Sequence, residues 1–186
     1  MLLDVTLKIT PSMVKSAVGN ENKALVGHLG THFDVMNKEF PLEYTRRPAI
    51  VFDVKAIRDR DIEISDIDMS KVEKDMFVGF YTGYIEEVEY GTAPYFGTHP
   101  QLSDALIEAL VEKQISIIGL DCSGIRRGSE HIPKDQYCAD RNVFVIENLC
   151  NLGELCGCEK KIEMNTYPMN YLEMSGLPCR VIAEIL

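Results

Sequence analysis

The sequence has no tryptophan and only four histidines, and its 19 lysines and arginines are outnumbered by 29 aspartates and glutamates, which gives a formal net charge of −10. Such an acidic surface repels phosphate backbones and anionic lipid, so we expect neither a nucleic-acid partner nor a membrane partner. No apolar stretch approaches the roughly 20 residues that span a bilayer. The first ten residues, MLLDVTLKIT, carry an acid and alternate like a strand rather than a signal peptide. We therefore expect a soluble, cytoplasmic protein.

Two common nucleotide-binding motifs are also absent. The chain contains neither GxGxxG nor GxxxxGK[ST], so dinucleotide sites and P-loop sites are not expected. Three of the six cysteines, Cys150, Cys156 and Cys158, lie close together, but their spacing is not CxxC. We expect buried thiols, with a disulfide or a structural zinc ion as less favoured alternatives.

Short apolar segments alternate with one clear amphipathic helix, and no repeat or linker divides the 186 residues, so we predict a single domain over 1–186. The pattern predicts a helix over 103–113 with Ser103 as N-cap. It predicts strands over 3–10, 23–33, 48–57, 76–81, 115–120, 142–147, 161–165 and 179–185. Many strands and few helices favour an α/β fold with a mixed sheet core over a doubly wound one.

The segment GHLGTHFD, residues 27–34, carries the most informative pattern. In an extended strand, His28, Gly30, His32 and Asp34 share one face, and the apolar residues between them share the other. Gly30 has no side chain and would let an ion approach the backbone. Two imidazole nitrogens and one carboxylate suit Zn²⁺, Mn²⁺ or Fe²⁺ better than Ca²⁺ or Mg²⁺. The spacing alone leaves a metal site and structural histidines equally open.

Glu147 is a second unusual position, because it ends the apolar run 143–146. A carboxylate at the end of a buried strand is costly unless it is paired, bound to a metal or in contact with solvent. Taken alone, Glu147 is more simply explained as the point where a strand reaches water.

The pattern His28-x-Gly30-Thr31-His32-x-Asp34 resembles the HxGTHxD signature of the kynurenine formamidase/cyclase family. Five further segments are similar to family motifs in the same order along the chain. They are DVTL at 4–7, FYTGY at 80–84, HPQLS at 99–103, IGLD at 118–121 and IENL at 146–149. On these segments the chain is identified as a divergent member of that family.

The resemblance implies a layered β/β/α fold of the swivelling type. It also implies a zinc or manganese ion on His28, His32 and Asp34, with Glu147 joining them. Family members hydrolyse amide bonds in N-formyl arylamines or cyclic amides, usually as homodimers or larger homo-oligomers. We therefore expect a small-molecule amide as substrate and a homo-oligomer as the assembled form.

Two departures from the family pattern bear on mechanism. The family motif continues to a proline and to the histidine that serves as general acid/base, where this chain has Met36 and Lys38. The family's second-metal histidine lies twelve residues before the glutamate, where this chain has Asp135. His131 lies four residues earlier and would reach the site only through a remodelled loop.

These departures lead us to expect one metal ion per chain, with the positive charge of Lys38 standing beside Asp135 and Glu147 in place of a second cation. If a second metal does bind, Asp34, Asp135 and Glu147 would favour Mn²⁺ or Mg²⁺. Lys38 is then the candidate proton donor to the leaving amine, and either Glu147 or Asp34 is the candidate to orient water. The alternative is a metal-binding relative that has lost catalysis and serves as a ligand-binding or scaffold protein.

Overall fold

The computed structural model describes residues 1–20 and 26–186, and strands provide most of its framework. The strands lie at β1 Leu2–Asp4, β2 His32–Asp34, β3 Arg46–Asp53, β4 Phe77–Tyr81, β5 Ile117–Leu120, β6 Phe144–Glu147, β7 Ile162–Pro168 and β8 Gly176–Ile185. The α-helices lie at α1 Pro11–Ala17, α2 Tyr84–Glu87, α3 Ala93–Gly97, α4 Asp104–Glu112 and α5 His131–Ala139. Short 3₁₀ helices lie at Leu42–Thr45, Ile64–Asp66, Met69–Lys71, Gly128–Glu130 and Leu152–Leu155.

The eight strands of the described residues belong to one mixed sheet in the order β1-β8-β2-β6-β5-β4-β3-β7. The sheet closes on itself because β7 also pairs with β8. The pairs β3–β4, β4–β5 and β5–β6 are parallel, whereas β2 lies antiparallel between β6 and β8. This architecture, with few helices around a mixed sheet core, confirms the predicted fold class.

The central strands are apolar on both faces, which explains why they read as continuous hydrophobic runs. In β5, Ile117 belongs to a core cluster with residues of β2, β7 and β8, while Ile118 and Leu120 belong to a second cluster. That second cluster includes Leu106 and Leu110 of α4 and lies between the sheet and its helices. Each large side chain buried in this way stabilises the fold by about 1.5–3 kcal/mol.

The predicted helix is confirmed as α4, and its cap is the one expected. The Ser103 hydroxyl accepts a hydrogen bond from the Leu106 amide at 3.2 Å. On α4 the side chains of Leu106, Ile107 and Leu110 are fully buried, as the apolar periodicity predicts.

Two predicted strands near the N-terminus are shorter in the structure. The segment 3–10 was expected to be one strand, but β1 ends at Asp4 and Thr10 instead caps α1, which begins with Pro11. Proline has no amide hydrogen for a sheet and is well suited to the first turn of a helix. Of the predicted strand 23–33, residues 23–25 lie outside the described residues, and the described part pairs only from His32 onward.

Among the described residues, no helix is long and apolar enough to cross a membrane. The six cysteines are free thiols, of which Cys122, Cys138 and Cys179 are buried.

Candidate metal centre

The register of β2 against β6 brings together residues that are far apart in sequence. In this antiparallel pair His32 lies directly opposite Glu147, and Asp34 lies opposite Val145. Directly opposed residues share one face of a sheet. Val145 belongs to the cluster that packs against the helices, so His32, Asp34 and Glu147 face the helical side of the sheet. The His32 Nε2 and Glu147 Oε2 atoms are 3.7 Å apart.

His28, His32 and Asp34 form the first group of converging ligand atoms. The His28 Nδ1 atom is 2.9 Å from His32 Nε2 and 3.0 Å from Asp34 Oδ1, and the third distance, from His32 Nε2 to Asp34 Oδ1, is 3.6 Å. Three ligands at about 2.1 Å from a tetrahedral ion lie about 3.4 Å from one another. The residues present therefore fit a divalent cation, as the family resemblance implied.

Each imidazole is oriented by a hydrogen bond at the ring nitrogen that does not belong to the ligand triangle. The His28 Nε2 atom is 3.0 Å from the Ser175 hydroxyl, and His32 Nδ1 is 2.8 Å from the Gly30 carbonyl oxygen, to which it donates. A proton on His32 Nδ1 leaves the lone pair of Nε2 free for a metal ion. Such outer hydrogen bonds fix the tautomer and ring orientation of metal-binding histidines.

Gly30 has a different role from the one the sequence suggested. It lies in a turn with φ of +76°, and an added Cβ would lie 2.4 Å from Ile9 Cδ1. Its carbonyl oxygen accepts from both His32 Nδ1 and Asn148 Nδ2, and its amide donates to the Tyr90 hydroxyl. Gly30 therefore shapes the turn between the two histidines, and His28 reaches the site from this turn rather than from an extended strand.

Asp34 also belongs to a second group, with His131, Asp135 and Glu147. One ligand atom from each of these residues lies within 4.8 Å of the others. The His131 Nε2 atom is 3.2 Å from Asp135 Oδ2 and 3.5 Å from Glu147 Oε1. His131 and Asp135 are one turn apart on α5, so both side chains project to the same side of that helix.

The three carboxylates of the cluster are deeply buried, since Asp34, Asp135 and Glu147 are each only 2% exposed. Burial raises the pKa of Asp135 and Glu147 well above the ordinary value, and the charge of Asp34 adds to the rise. Burial acts on Asp34 in the same direction, but the charge of His32 and the hydrogen bonds from both histidines outweigh it, so the pKa of Asp34 falls. The simpler explanation of Glu147, as the point where a strand reaches water, is therefore wrong, because the side chain is buried.

Three carboxylate oxygens in this cluster are buried without a hydrogen-bond partner among the described residues. They are Asp34 Oδ2, Asp135 Oδ1 and Glu147 Oε1. Within 1–20 and 26–186, the ion pairs of these three carboxylates are all with histidines, and none is with a lysine or arginine. Unpaired buried carboxylate oxygens are costly, and a bound cation would satisfy them.

Lys38 is not where the sequence-based prediction placed it. In the described part of the chain, its ammonium group forms an ion pair with Asp140, at 2.7 Å, and none with Asp135 or Glu147. Met36, in the loop between β2 and Lys38, adopts φ of +57°. A proline, which the family motif has at this position, is fixed near −65° and could not adopt this conformation.

His131, Ser123 and Ser175 are site residues that the sequence reasoning either missed or placed elsewhere. His131 was expected to need a remodelled loop, but α5 brings it in by ordinary helical geometry. The four-residue spacing between His131 and Asp135 is visible in the sequence, but no helix was predicted for this segment. Pro133 lies in the first turn of α5, where proline is tolerated.

A cavity of about 200 Å³ opens onto the cluster. Polar or ionisable side chains and one aromatic ring line this cavity: Asn20, His28, His32, Phe96, Ser123, His131, Glu147 and Asn148. The Ser123 hydroxyl donates to Glu147 Oε2 at 3.4 Å. The converging groups are therefore accessible to a small molecule.

The family model for Cyclase, described as putative cyclase, matches residues 3–126 of the chain. The matched segment contains His28, His32 and Asp34 and ends before α5 and β6. Among curated protein sequences, none matches the chain.

Several solved structures share the fold. A potential metal-dependent hydrolase with cyclase activity is similar at a TM-score of 0.75 and 23% identity, over 98% of this chain and 96% of that one. A predicted metal-dependent hydrolase from Bacillus stearothermophilus is similar at a TM-score of 0.74 and 22% identity, over 98% and 97%. Isatin hydrolase A from Ralstonia solanacearum is similar at a TM-score of 0.76 and 18% identity, over 98% and 91%.

Proposed function

This chain belongs to the putative cyclase family, and we propose that it is a metal-dependent hydrolase that cleaves the C–N bond of a small amide. The observation that carries the proposal is the triangle of His28 Nδ1, His32 Nε2 and Asp34 Oδ1, with edges of 2.9, 3.0 and 3.6 Å. These three atoms would hold the cation, and two of the three residues line the cavity that would admit the substrate.

A divalent cation at this position supplies a Lewis acid that polarises an amide carbonyl and lowers the pKa of water toward about 7. Two nitrogens and one carboxylate oxygen suit Zn²⁺ or Mn²⁺. In the reaction, the oxygen of water adds to the carbonyl carbon, the C–N bond breaks, and the leaving nitrogen takes a proton from that water. An acyclic amide would give a carboxylic acid and an amine, and a cyclic amide would give one ring-opened product that carries both a carboxyl and an amino group.

The side chains of the cavity would each have a part in this reaction. Glu147 Oε2 would accept a hydrogen bond from the attacking water and thereby orient it. Ser123, which donates to the same oxygen at 3.4 Å, would keep that carboxylate in place. Glu147 is also the carboxylate that would pass the proton to the leaving nitrogen, since Lys38 is engaged with Asp140.

The size and lining of the cavity favour a compact, uncharged substrate. Its volume of about 200 Å³ is below the roughly 300–1,000 Å³ of typical small-molecule sites. Phe96 offers an aromatic wall for a planar ring, and the described lining contains no lysine or arginine to bind a substrate carboxylate. A cyclic amide, of the kind that isatin hydrolase A is named for, fits this lining better than an N-formyl arylamine that carries a charged side chain.

The second candidate function is binding without catalysis. The replacement of the family's acid/base histidine by Lys38, together with the ion pair of Lys38 to Asp140, favours this reading. Such a protein would bind the cation and a small ligand as a sensor or scaffold.

Metal-dependent turnover separates the two functions. The metal-free chain would be loaded with Zn²⁺ or Mn²⁺, its occupancy measured, and its hydrolysis of cyclic amides and N-formyl arylamines followed. The hydrolase proposal predicts turnover that disappears with chelator and in His32→Ala, but persists in the surface control Asp140→Asn. A fully loaded protein that hydrolyses no member of the panel would instead support the binding protein.

Two expectations from the sequence stay predictions. A homodimer or larger homo-oligomer is expected, and light scattering of the purified chain would test it. A cytoplasmic location is also expected, and fractionation of cells that express the chain would test it.

A further inference from the structure

We propose that a second cavity, lined in part by Asp59, His99 and Arg127, binds a small zwitterion that carries a carboxylate and an ammonium group, as an amino acid does. The site does not depend on the proposed function, because the two cavities share no lining residue in the described part of the chain. The second cavity has a volume of about 180 Å³, below that of typical drug-sized sites, so its ligand must be compact.

Charged groups of both signs line this cavity. The lining comes from residues 58–61 in the loop after β3, residues 98–101 between α3 and α4, and Arg127 in the loop after β5. Three arginines and two aspartates are among these residues. A binding surface with both charges is complementary to a ligand that carries both charges.

Several of these charged groups are already engaged within the protein. Arg58 donates to a Glu87 oxygen at 2.9 Å. Arg60 donates to both carboxylate oxygens of Asp66, at 2.6 and 2.7 Å. The Asp61 carboxylate accepts hydrogen bonds from two other side chains, at 2.5 and 3.4 Å. These groups shape the walls of the cavity and have little remaining capacity for a ligand.

Arg127 is available to bind a carboxylate. Within residues 1–20 and 26–186 its guanidinium forms no ion pair, and it donates only to the Gly97 carbonyl oxygen, at 3.4 Å. A guanidinium has five N–H donors in a planar fork that matches a carboxylate. The Arg127 amide donates to Gln101 Oε1 at 2.8 Å, which holds this residue beside the segment that bears His99.

His99 offers a hydrogen-bond acceptor on a rigid wall, since it is only 1% exposed. Its Nδ1 atom is 2.9 Å from the Pro100 carbonyl oxygen, to which it donates, so the hydrogen lies on Nδ1 and Nε2 presents a lone pair. Among the described residues Nε2 has no partner, yet protein atoms do not fully enclose it. Burial lowers the pKa of His99 to about 4, and the charge of Arg127 adds to the fall, so the ring is neutral at pH 7.

The Asp59 carboxylate is a second free acceptor. It lines the cavity and has neither a hydrogen bond nor an ion pair with any other residue that the structure describes. A nearby ligand ammonium would be attracted by its negative charge.

The three free groups together select the class of ligand. A simple anion would satisfy Arg127 but would bring negative charge toward Asp59 and the lone pair of His99. A simple cation would satisfy those two groups and be repelled by Arg127. A zwitterion satisfies all three, with its carboxylate on Arg127 and its ammonium donating to His99 Nε2 and Asp59.

Calorimetric titration of the chelated chain with glycine tests the proposal, with acetate and methylamine as the two halves of the same molecule. The chelator prevents glycine from binding through a metal ion. We expect one glycine per chain, bound at least about tenfold more tightly than either half. The ¹⁵N chemical shift of His99 Nε2 should also change, because its lone pair accepts a hydrogen bond from the ligand.

Variants assign the ligand to this cavity. Arg127→Gln and Asp59→Asn should each weaken glycine binding by at least about tenfold, because each removes one charged partner. Arg141→Gln is the matched control, since Arg141 is exposed and lines neither cavity. His32→Ala, which alters the metal centre, should also bind glycine as the wild type does.

Three results would overturn the proposal. They are the absence of saturable glycine binding up to about 100 mM, equal affinity for glycine and for acetate or methylamine, and unchanged affinity in Arg127→Gln. Glycine binding that is lost in His32→Ala and kept in Arg127→Gln would place the ligand at the metal centre and equally contradict it. None of these measurements depends on whether the metal-loaded chain hydrolyses amides.

Discussion

His32 and Glu147 lie directly opposite each other in the antiparallel pairing of β2 and β6, and their side chains end 3.7 Å apart. One strand thus presents a histidine and an aspartate, and its neighbour adds a glutamate from 115 positions further along the chain. The rigid, buried pair of strands holds the ligands, and α5 covers them with His131 and Asp135. Most of the candidate site is therefore fixed by the same contacts that form the core.

Ser175→Ala should weaken metal binding without disturbing the fold. The Ser175 hydroxyl is 3.0 Å from His28 Nε2 and orients that ring, and the loss of such an outer hydrogen bond typically costs about 10–100-fold in metal affinity. Titration against a competing chelator would measure the change. The exposed Ser65→Ala serves as the control, and equal affinity in both variants would show that His28 needs no support from Ser175.

Lys38→Ala should leave the rate of hydrolysis within about twofold of the original at every pH. The Lys38 ammonium pairs with Asp140, both groups are more than one-third exposed, and such solvent-screened surface pairs contribute little. The measurement is kcat of the metal-loaded variant from pH 6 to 9. A fall of about 10²-fold or more would mean that Lys38 moves to the substrate and acts as its proton donor.

The metal-free protein should become less stable as pH rises from about 5 to 8. The pKa values of Asp135 and Glu147 are raised in the folded state, so their contribution is complete below the ordinary carboxyl pKa and is lost as pH rises through the folded values. The pKa of His32 is also raised, and its contribution falls in the same direction. The lowered pKa of Asp34 adds stability that is already complete above its ordinary value of 3.8, so it changes nothing in this range.

His131 and His99 act in the opposite direction, since burial lowers the pKa of both, that of His99 to about 4, and their contribution to stability rises as pH approaches 6.5. Asp135, Glu147 and His32, together with Asp121, whose pKa burial raises to about 6, outweigh these two histidines. The melting temperature of the chelated protein would therefore fall with pH, while added Mn²⁺, which competes with protons for the ligands, would stabilise it more at pH 8 than at pH 5. A chelated protein that gains stability across this range would contradict the burial of unpaired carboxylates.

The sequence predicted the fold class because the central strands are apolar on both faces. β5 and β6 appear in the sequence as uninterrupted hydrophobic runs, and the structure places them side by side between two cores. The strand boundaries were less predictable, since they depend on local hydrogen bonds. Thr10 ends the N-terminal extended segment by capping α1, and no alternation of apolar residues indicates that.

For the candidate site, the local part was predictable and the tertiary part was not. His28, His32 and Asp34 lie within seven consecutive residues, so their spacing can be seen in the sequence. The burial of Glu147 depends on the register of two strands, and the position of His131 depends on α5, a helix that was not predicted. Lys38 was misplaced because its ion pair with Asp140 depends on the path of the loop after β2, which the sequence pattern does not specify.

Anomalous diffraction from crystals soaked in Mn²⁺ or Zn²⁺ tests the central claim most directly. We expect a strong peak about 2.0–2.2 Å from His28 Nδ1, His32 Nε2 and Asp34 Oδ1. The absence of any peak within reach of His28, His32 and Asp34, at metal concentrations that saturate binding in solution, would contradict it.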